Sequence, residues 1–263
     1  MKSNAQIEEQ LMHLSPITLG EMSSIRLMNR TDMKFLTNLS GLLQLLDKVE
    51  GCYFAQDIDG RRVANYATTY WDDADTHWMF RIHHCGHRPR VKVRVRSYVD
   101  SDMHFLEIKK KNNRGKTSKK RIAVSSPEAV SQQHLGEEFL KERTGLTFQD
   151  IIPTLSNRFK RITLVNREKT ERLTIDFDLH FYNHESGRNV MMDNIVIIEL
   201  KRDGRVPSPI LPLLRELRIK PSGFSKYCIG SAVTNPDLKQ NLFKEKLVRI
   251  RKIANAVSAE NAC

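Results

Sequence analysis

The stretch Arg90-Val91-Lys92-Val93-Arg94-Val95-Arg96 alternates basic and aliphatic residues without a break. Because successive side chains of a β-strand point to opposite faces, this alternation predicts a strand with one cationic face and one apolar face. The basic side chains, at Arg90, Lys92, Arg94 and Arg96, would form a row about 20 Å long at roughly 3.3 Å per residue. Four like charges in one row predict an anionic ligand.

Two further predicted strands carry a Glu-x-Lys motif, at Glu107-Ile108-Lys109 and at Glu199-Leu200-Lys201. In each motif the carboxylate and the ammonium group lie on one face, where they would supply a metal ligand and a phosphate clamp together. Mg²⁺ is usually held by one or two carboxylates and by the oxygens of a bound polyphosphate. The alternative is a solvated sheet face with cross-strand ion pairs. The three charged strands together favour the polyphosphate site.

The composition restricts the partners that the chain can have. Its 263 residues include 43 Lys and Arg against 31 Asp and Glu, which gives a formal net charge of +12. This charge favours polyanions: nucleic acid, polyphosphate, nucleotides or an acidic membrane surface. The length and the 40% hydrophobic content indicate a folded chain with one large domain or two small ones.

The spacing of the cysteines and the pattern of hydropathy indicate in which compartment the protein is expected. Cys52, Cys85, Cys228 and Cys263 are widely separated and form no Cys-x-x-Cys pair, which argues against a zinc knuckle and a disulfide scaffold and predicts a cytoplasmic protein. Without a signal peptide or a run of about 18 apolar residues, we expect a chain that is neither exported nor membrane-spanning by itself. The sequence leaves open a membrane-protein partner, through which the chain would lie at the inner face of the membrane. It does not predict the oligomeric state.

The order of elements predicts an α+β fold with about eight strands, mostly antiparallel, and helices packed on the outside. Charged residues alternating with Val, Ile or Leu are typical of a barrel with a polar lumen. Eight strands enclose just enough room for side chains and one slender ligand, such as an extended phosphate chain. We divide the chain into an accessory helical segment, 1–28, a tunnel domain, 29–235, and a basic helix, 236–263. One helix is expected over 127–143 and one strand over 190–200.

Nine short motifs follow one another along about three quarters of the chain. They are Arg30-Thr31-Asp32-Met33-Lys34-Phe35, Tyr70-Trp71-Asp72, Arg94-Val95-Arg96, Glu107-Ile108-Lys109, Lys119-Lys120-Arg121, Phe159-Lys160-Arg161, Arg172-Leu173-Thr174-Ile175-Asp176, Glu199-Leu200-Lys201 and Phe224-Ser225-Lys226. This series resembles the VTC domain, the polyphosphate polymerase module of the triphosphate tunnel metalloenzyme (CYTH-like) superfamily, in its bacterial form. Asp32 and Phe35 replace the Glu and Tyr of the family's opening motif, and Gly223 stands where the eukaryotic polymerase has a further Lys, with Lys220 as a substitute.

The resemblance implies an eight-stranded antiparallel β-barrel that forms a triphosphate tunnel, with a set of phosphate-binding side chains and two metal ligands. The phosphate-binding residues would be Arg30, Lys34, Arg94, Arg96, Lys109, Lys119, Arg121, Arg161, Arg172, Lys201 and Lys226. Among them, Arg94, Arg96, Lys109, Arg172 and Lys201 would be catalytic. Glu107 and Glu199 would hold Mn²⁺ or Mg²⁺. For Arg161, an alignment on Asn157-Arg158 remains an alternative.

The implied activity is metal-dependent phosphoryl transfer, with polyphosphate synthesis from ATP as the leading hypothesis. The alternatives on the same tunnel are an inorganic or organic triphosphatase acting on substrates such as tripolyphosphate, and a non-catalytic polyphosphate-binding module. A nucleic-acid-binding protein is a more distant alternative, suggested by the basic residues of the last helix: Lys244, Lys246, Arg249, Arg251 and Lys252. Leucines alternate with these charges, so we favour a packed amphipathic helix and expect no nucleic-acid partner. The crowded His83-His84-Cys85-Gly86-His87 run favours a loop over a zinc site.

Overall fold

The computed structural model describes residues 2–23, 25, 30–204 and 206–256. The strands are β1 Ser15–Ile17, β2 Arg30–Thr37, β3 Tyr53–Gln56, β4 Ala64–Asp72, β5 Arg90–Tyr98, β6 Met103–Lys111, β7 Thr117–Val124, β8 Ile152–Asn166, β9 Glu171–Asn183, β10 Asn189–Met192 and β11 Val196–Asp203. The helices are α1 Lys2–His13, α2 Leu19–Ser23, α3 Leu39–Val49, α4 Trp78–Cys85, α5 Pro127–Gln133, α6 Glu137–Thr144, α7 Ile210–Glu216, α8 Lys226–Thr234 and α9 Lys244–Ala254.

Eight of the strands form one continuous antiparallel row in the order β2-β11-β9-β8-β4-β5-β6-β7. β10 extends this row beside β9, β3 pairs with β8, and β1 pairs with β3 in parallel. The expected antiparallel sheet with helices is confirmed, but it has eleven strands instead of eight. It is also not a closed barrel, because β2 and β7 end the row and do not pair with each other.

The row of strands is nevertheless strongly curled. Side chains from β2, at one end of the row, line the same cavity as side chains from β5, β6 and β7, at the other end. This arrangement requires the sheet to bend around a hollow. We call the inner side of the sheet the concave face and the outer side the convex face.

The convex face carries the apolar residues of the alternating strands and is covered by helices. α1, α3 and α7 pack on β2, β8, β9 and β11 through a core that includes Leu45, Leu164 and Ile198. α5 and α6 pack on β5 and β6, where Val93 and Leu106 are fully buried. The valines of the opening stretch therefore face outward into a helix-covered core, as their period predicts, and the basic residues between them face the hollow.

One helix, α8, packs inside the curled sheet. Its residues Tyr227, Ile229 and Ala232 share a core with Leu155 and Phe181 of β8 and β9. Gly230 makes this close approach feasible, because a Cβ there would lie 2.5 Å from Cδ1 of Phe181 and 2.8 Å from Cδ2 of Leu155. The helix thereby fills one end of the hollow with apolar side chains and leaves the other end polar.

Five sequence-based expectations for single elements were wrong. The run His83–His87, expected to be a loop, is helical as far as Cys85, and the helix expected over 236–263 covers only 244–254 of the described residues. Residues 127–143 form two helices, because the backbone turns left-handed at His134 and Gly136. Residues 190–200 form two strands separated by a turn at 193–195. The segment 1–28, expected to be helical, includes strand β1, and its first helix is part of the main core through Leu11. No helix in the described ranges is long and apolar enough to cross a bilayer.

Candidate functional site

The strand register brings most of the predicted site residues onto the concave face. Lys34 lies directly opposite Glu199, and Arg172 lies opposite Lys201. On the other half of the sheet, Arg94 is opposite Glu107, and Lys109 is opposite Lys119. Because directly opposite residues share a face, one period-two pattern in each strand is enough to collect these charges in one hollow.

The first charged cluster surrounds Glu107, whose exposed fraction is 1%. Arg94 donates from Nε and Nη2 to its Oε2 at 2.7 and 2.6 Å, and Lys119 Nζ lies 2.5 Å from its Oε1. Burial opposes ionisation of the carboxyl group, but the charges of Arg94 and Arg96 and the hydrogen bond from Lys119 outweigh it and lower the pKa of Glu107 to about 2. Glu107 is therefore an ionised counterion at neutral pH.

The second cluster is centred on Asp176, which is 4% exposed. Arg161 binds it through both fork positions, Nε to Oδ1 at 2.6 Å and Nη2 to Oδ2 at 2.8 Å, and Lys226 forms a short ion pair with Oδ2. Burial, together with the neighbouring Arg161, lowers the pKa of Lys226 to about 7, although Asp176 opposes this shift. The cluster connects β8, β9 and the first turn of α8.

The third cluster contains Glu199, Lys201 and Lys34. Lys201 Nζ lies 3.1 Å from Oε1 of Glu199, whereas Lys34 Nζ lies 3.9 Å from Oε2 and donates to the carbonyl of Phe224 at 3.1 Å. Burial opposes ionisation of Glu199, but the charges of Lys34 and Lys201 dominate and lower its pKa to about 2. Among the carboxylate oxygens of the three clusters, Oε2 of Glu199 is therefore the farthest from a paired cation, and its lone pairs are the most available to another ligand.

A cavity of about 320 Å³ adjoins the third cluster, because Lys34 lies in its wall. Lys92 lies in its wall, donates from Nζ to Oγ of Ser225 at 2.9 Å and sits 5.4 Å from the ring centroid of Tyr227. Burial and the neighbouring cations Lys34 and Arg94 lower the pKa of Lys92 to about 8, against an opposing influence of Cys228. The cavity is thus a cationic compartment.

The model of the VTC domain matches residues 29–235. The chain belongs to the VTC domain family. A search of curated proteins gave no match to this sequence.

A solved structure shares the fold of this VTC domain, and another is similar to it over much of the chain. A putative adenylyl cyclase, HpAC1 from Hippeastrum, for which a dominant triphosphatase activity is described, aligns with a TM-score of 0.52 and 15% identity, over 77% of this chain and 95% of that one. A putative adenylate cyclase from Bacillus halodurans aligns with a TM-score of 0.48 and 12% identity, over 75% and 96%. The fold resembles the CYTH-like triphosphate tunnel.

Four further predicted phosphate-binding residues have described side chains, and one of them, Lys109, lines the cavity. Arg96 is 9% exposed on the concave face, 3.4 Å from Oγ1 of Thr68. Arg172 lies opposite Lys201, on the same face as Asp176. Arg121 is exposed at the rim and stacks 4.3 Å from the ring centroid of Phe105. The side chain of Arg30 falls outside the described residues.

Arg158 and Arg161, the two alternatives on β8, differ in the direction in which their side chains point. Arg161 points into the hollow and pairs with Asp176, whereas Arg158 is exposed and lines an outer cavity together with Asp178 and His180. The backbone irregularity between Arg158 and Lys160 shifts the register of β8 against β9. Of the two arginines, Arg161 is therefore the one whose side chain faces the hollow of this VTC domain.

The two predicted metal ligands differ in how well they fit a divalent ion. Both oxygens of Glu107 are held by cations at 2.7 Å or less, so a metal would have to displace these contacts. Oε2 of Glu199 lies 3.9 Å from Lys34 Nζ, and the side chain of Glu199 is 24% exposed. A carboxylate oxygen with free lone pairs fits Mg²⁺ or Mn²⁺ when phosphate oxygens complete the coordination. The donor set thus fits a metal at Glu199 better than at Glu107.

Another set of metal-ligand side chains lies outside the hollow. Among the described residues, Asp178, His180 and Asp193 are the group of three whose ligand atoms lie within 4.8 Å of one another. His180 stands between Leu179 and Phe181, which pack on the concave side with α8, so His180 points to the convex side. This group is therefore separate from the phosphate-facing clusters.

Sequence reasoning missed the residues that hold α8 in place. Tyr227 donates from its hydroxyl to Oδ2 of Asp72 at 2.5 Å, and the same carboxylate accepts from the backbone amides of Met79 and Phe80 at 3.0 and 2.9 Å. Ser225 caps α8 by accepting from the amide of Cys228. Asp72 belonged to a recognised motif, but its role as the anchor of α8 depends on residues 155 positions apart, which no local pattern indicates.

Proposed function

We propose that this VTC domain binds the phosphate chain of ATP or of inorganic polyphosphate in the hollow and catalyses metal-dependent phosphoryl transfer, with polyphosphate synthesis as the reaction. The observation that carries this proposal is the arrangement of three carboxylates, Glu107, Asp176 and Glu199, each between cations, beside a cationic cavity. The carboxylates fix the cations in place, and the surplus of positive charge remains for the ligand.

The cationic side chains of the hollow would act mainly by positioning. Arg94 and Arg96 offer planar forks that match phosphate oxygens, and Lys34, Lys109 and Lys201 act as point charges. Phosphoryl transfer has a loose transition state with its charge on the peripheral oxygens, so preorganised cations lower the barrier without a protein nucleophile. A divalent ion at Glu199, if bound, would supply further neutralisation of the phosphate oxygens.

A triphosphatase is the second candidate, and one observation in the hollow favours it. Gly223 lines the cavity at the position where the eukaryotic polymerase motif has a lysine, and Lys220 is exposed outside the cavity lining. A missing cation at this point removes one contact to an acceptor chain but none of the contacts described above. The fold shared with HpAC1, for which triphosphatase activity is described, agrees with this alternative.

One incubation separates the two candidates. Purified protein is mixed with ATP and Mn²⁺ or Mg²⁺, and the products are resolved as long polyphosphate or free phosphate. Accumulation of polyphosphate supports the polymerase, and release of free phosphate alone supports the triphosphatase. Binding of polyphosphate without turnover of ATP would overturn the enzymatic proposal and favour a binding module.

Glu199→Gln tests the role of the carboxylate in this reaction. The change removes the charge but keeps the shape, so we expect the metal-dependent turnover to fall by about 10²-fold or more, as is typical for loss of an electrostatic contribution at a transition state. Glu216→Gln is the matched control, because Glu216 is exposed and pairs with Lys48 at 2.7 Å outside the hollow. Equal activity of the two variants would remove Glu199 from the site.

A further inference from the structure

The concave face of β4, β5 and β6 becomes aromatic at the strand ends farthest from the cavity. Arg90 and Lys111, which line the cavity, lie at one end of β5 and β6, and Tyr98 and Phe105 lie near the other end. Tyr66 of β4 is directly opposite Tyr98. The ring centroids are 5.0 Å apart for Tyr66 and Tyr98 and 5.7 Å apart for Tyr98 and Phe105. We call these three side chains the aromatic rim.

The packing of the hydrophobic cores does not account for the aromatic rim. Tyr98 and Phe105 are half-buried and belong to none of the cores that the described residues form, and Tyr66 is only partly covered, at the margin of the core around α8. Val99 and Met103, in and beside the turn that joins β5 to β6, are 52% and 48% exposed. Apolar surface that stays accessible beside a charged hollow indicates a ligand with an uncharged part.

The aromatic rim adjoins three of the predicted phosphate-binding arginines. Cζ of Arg96 lies 5.9 Å, and Cζ of Arg161 4.8 Å, from the ring centroid of Tyr66. Cζ of Arg121 lies 4.3 Å from the ring centroid of Phe105. One ligand can therefore contact the rings with an uncharged part and the guanidinium groups with its phosphates.

Tyr98, in the middle of the aromatic rim, offers a ring face for stacking. The rings of Tyr66 and Phe105 are inclined to it by 55° and 85°, so neither of these neighbours lies parallel to it. Its hydroxyl accepts a hydrogen bond from Nη1 of Arg121 at 3.3 Å, which helps to hold the ring. Proteins that bind single-stranded nucleic acid stack bases on aromatic side chains presented in this way, beside a cationic groove.

The geometry points to a base-binding subsite at the aromatic rim, which stacks the base of a nucleoside triphosphate on Tyr98 while the neighbouring arginines bind the phosphates. This inference rests on the proposed function and specifies a nucleoside triphosphate, instead of a wholly inorganic chain, as the substrate that enters the hollow. Arg94 and Tyr98 are four residues apart on β5, about 13 Å along a strand, which is comparable to the length of an extended nucleoside triphosphate. An inorganic chain would leave the rings in contact with water.

Two ligands that differ only in the base test the subsite. ATP and ribose 5-triphosphate carry the same sugar ester and the same phosphates, and calorimetry in EDTA, which prevents metal-dependent turnover, gives their dissociation constants. We expect the unaltered protein to bind ATP about tenfold more tightly, as is typical for stacking of one base on aromatic side chains. In the Tyr98→Leu/Phe105→Leu double variant this preference should disappear, whereas the affinity for ribose 5-triphosphate should change by less than about twofold, because only the base stacks on the rings.

Two control variants separate the stacking from other effects of the rings. Tyr98→Phe keeps the ring and should retain the preference for ATP. Tyr182→Leu removes a 43% exposed aromatic ring outside the hollow and should retain it as well.

Three results would overturn the subsite and leave the proposed function intact. They are equal affinity of the unaltered protein for the two ligands, a preference for ATP that persists in the double variant, and equal weakening of both ligands by the double variant, since the rings would then act through the arginines. Failure of both ligands to bind the unaltered protein would instead contradict the proposed function, and the subsite with it.

Discussion

At the scale of single residues, removing one charged side chain from a cluster in the hollow leaves its buried partners without their counterion. Asp176 neutralises both Arg161 and Lys226, and all three side chains are largely buried. Asp176→Asn leaves two cations without a charged partner, so we expect a loss of about 3–5 kcal/mol in the free energy of unfolding. Urea denaturation measures this loss. Asp193→Asn, at an exposed position, is the control and should change stability by less than about 0.5 kcal/mol.

The lowered pKa values of two lysines predict that binding depends on pH. Burial lowers the pKa of Lys92 to about 8 and that of Lys226 to about 7, below their ordinary value of 10.5. A phosphate chain favours the charged forms, so its binding raises both pKa values and takes up protons. Because both lysines lose their charge as the pH rises from about 7 to about 9, affinity should fall over this range.

Calorimetry at about pH 8 in buffers of different ionisation enthalpy detects this proton uptake. Lys92→Met removes one of the two groups and should reduce the number of protons taken up. A binding enthalpy that is identical in all buffers would mean that neither lysine changes its protonation when phosphate binds.

At the scale of elements, α8 is the part of the site that depends on close packing. Gly230→Ala would place a Cβ 2.5 Å from a ring atom of Phe181, so the helix must move away from the sheet. We expect a loss of about 1–3 kcal/mol in stability, as for other overpacked cores, and weaker phosphate binding because Ser225 and Lys226 begin the same helix.

Gly223→Ala is the matched control for the stability measurement, since a Cβ there would meet no atom within 4 Å. The two variants are compared by thermal denaturation. Equal melting temperatures would show that α8 can shift without cost, and the close approach at Gly230 would then have no role in positioning Lys226.

The sequence could predict strands in which charged and apolar residues alternate, because each residue type indicates the face of the sheet on which its side chain lies. The period of two in β5, β6 and β11 assigned Arg94, Glu107 and Glu199 to one side, and the register agrees with that assignment. The break between α5 and α6 could not be predicted, because it includes a left-handed residue, His134, that is not a glycine. Local pattern also cannot tell whether the end strands of a sheet meet, so the open row was missed.

The partners of the charges were harder to predict than their positions. The motif Arg172–Asp176 does not indicate that Asp176 pairs with both Arg161 and Lys226, which lie on other elements. The charged row of β5 predicts the face of Lys92, but the contact of Lys92 with Ser225 depends on how α8 enters the hollow. Contacts of this kind arise from the curl of the whole sheet, whereas a single strand determines only the direction of a side chain.

At the scale of the whole molecule, we expect a bound phosphate chain to stabilise the folded protein, because it would neutralise the cations that are concentrated in the hollow. A ligand that binds only the folded state at a concentration of 100 Kd adds about 2.7 kcal/mol. For a chain of this size, that corresponds to a rise of roughly 5–10 °C in the melting temperature. We expect tripolyphosphate to produce this rise and Lys34→Ala to reduce it, because Lys34 lies between Glu199 and the cationic cavity.

The control for this prediction is sodium chloride at matched ionic strength, which screens charges but offers no chain of phosphates. Sodium chloride should raise the melting temperature much less than tripolyphosphate does. If both additives raised it equally, the stabilisation would come from general screening of the +12 charge, and the hollow would have no specific affinity for phosphate. A ligand-specific rise that is lost in Lys34→Ala would instead locate the stabilisation in the hollow, since the variant changes the net charge by only one unit.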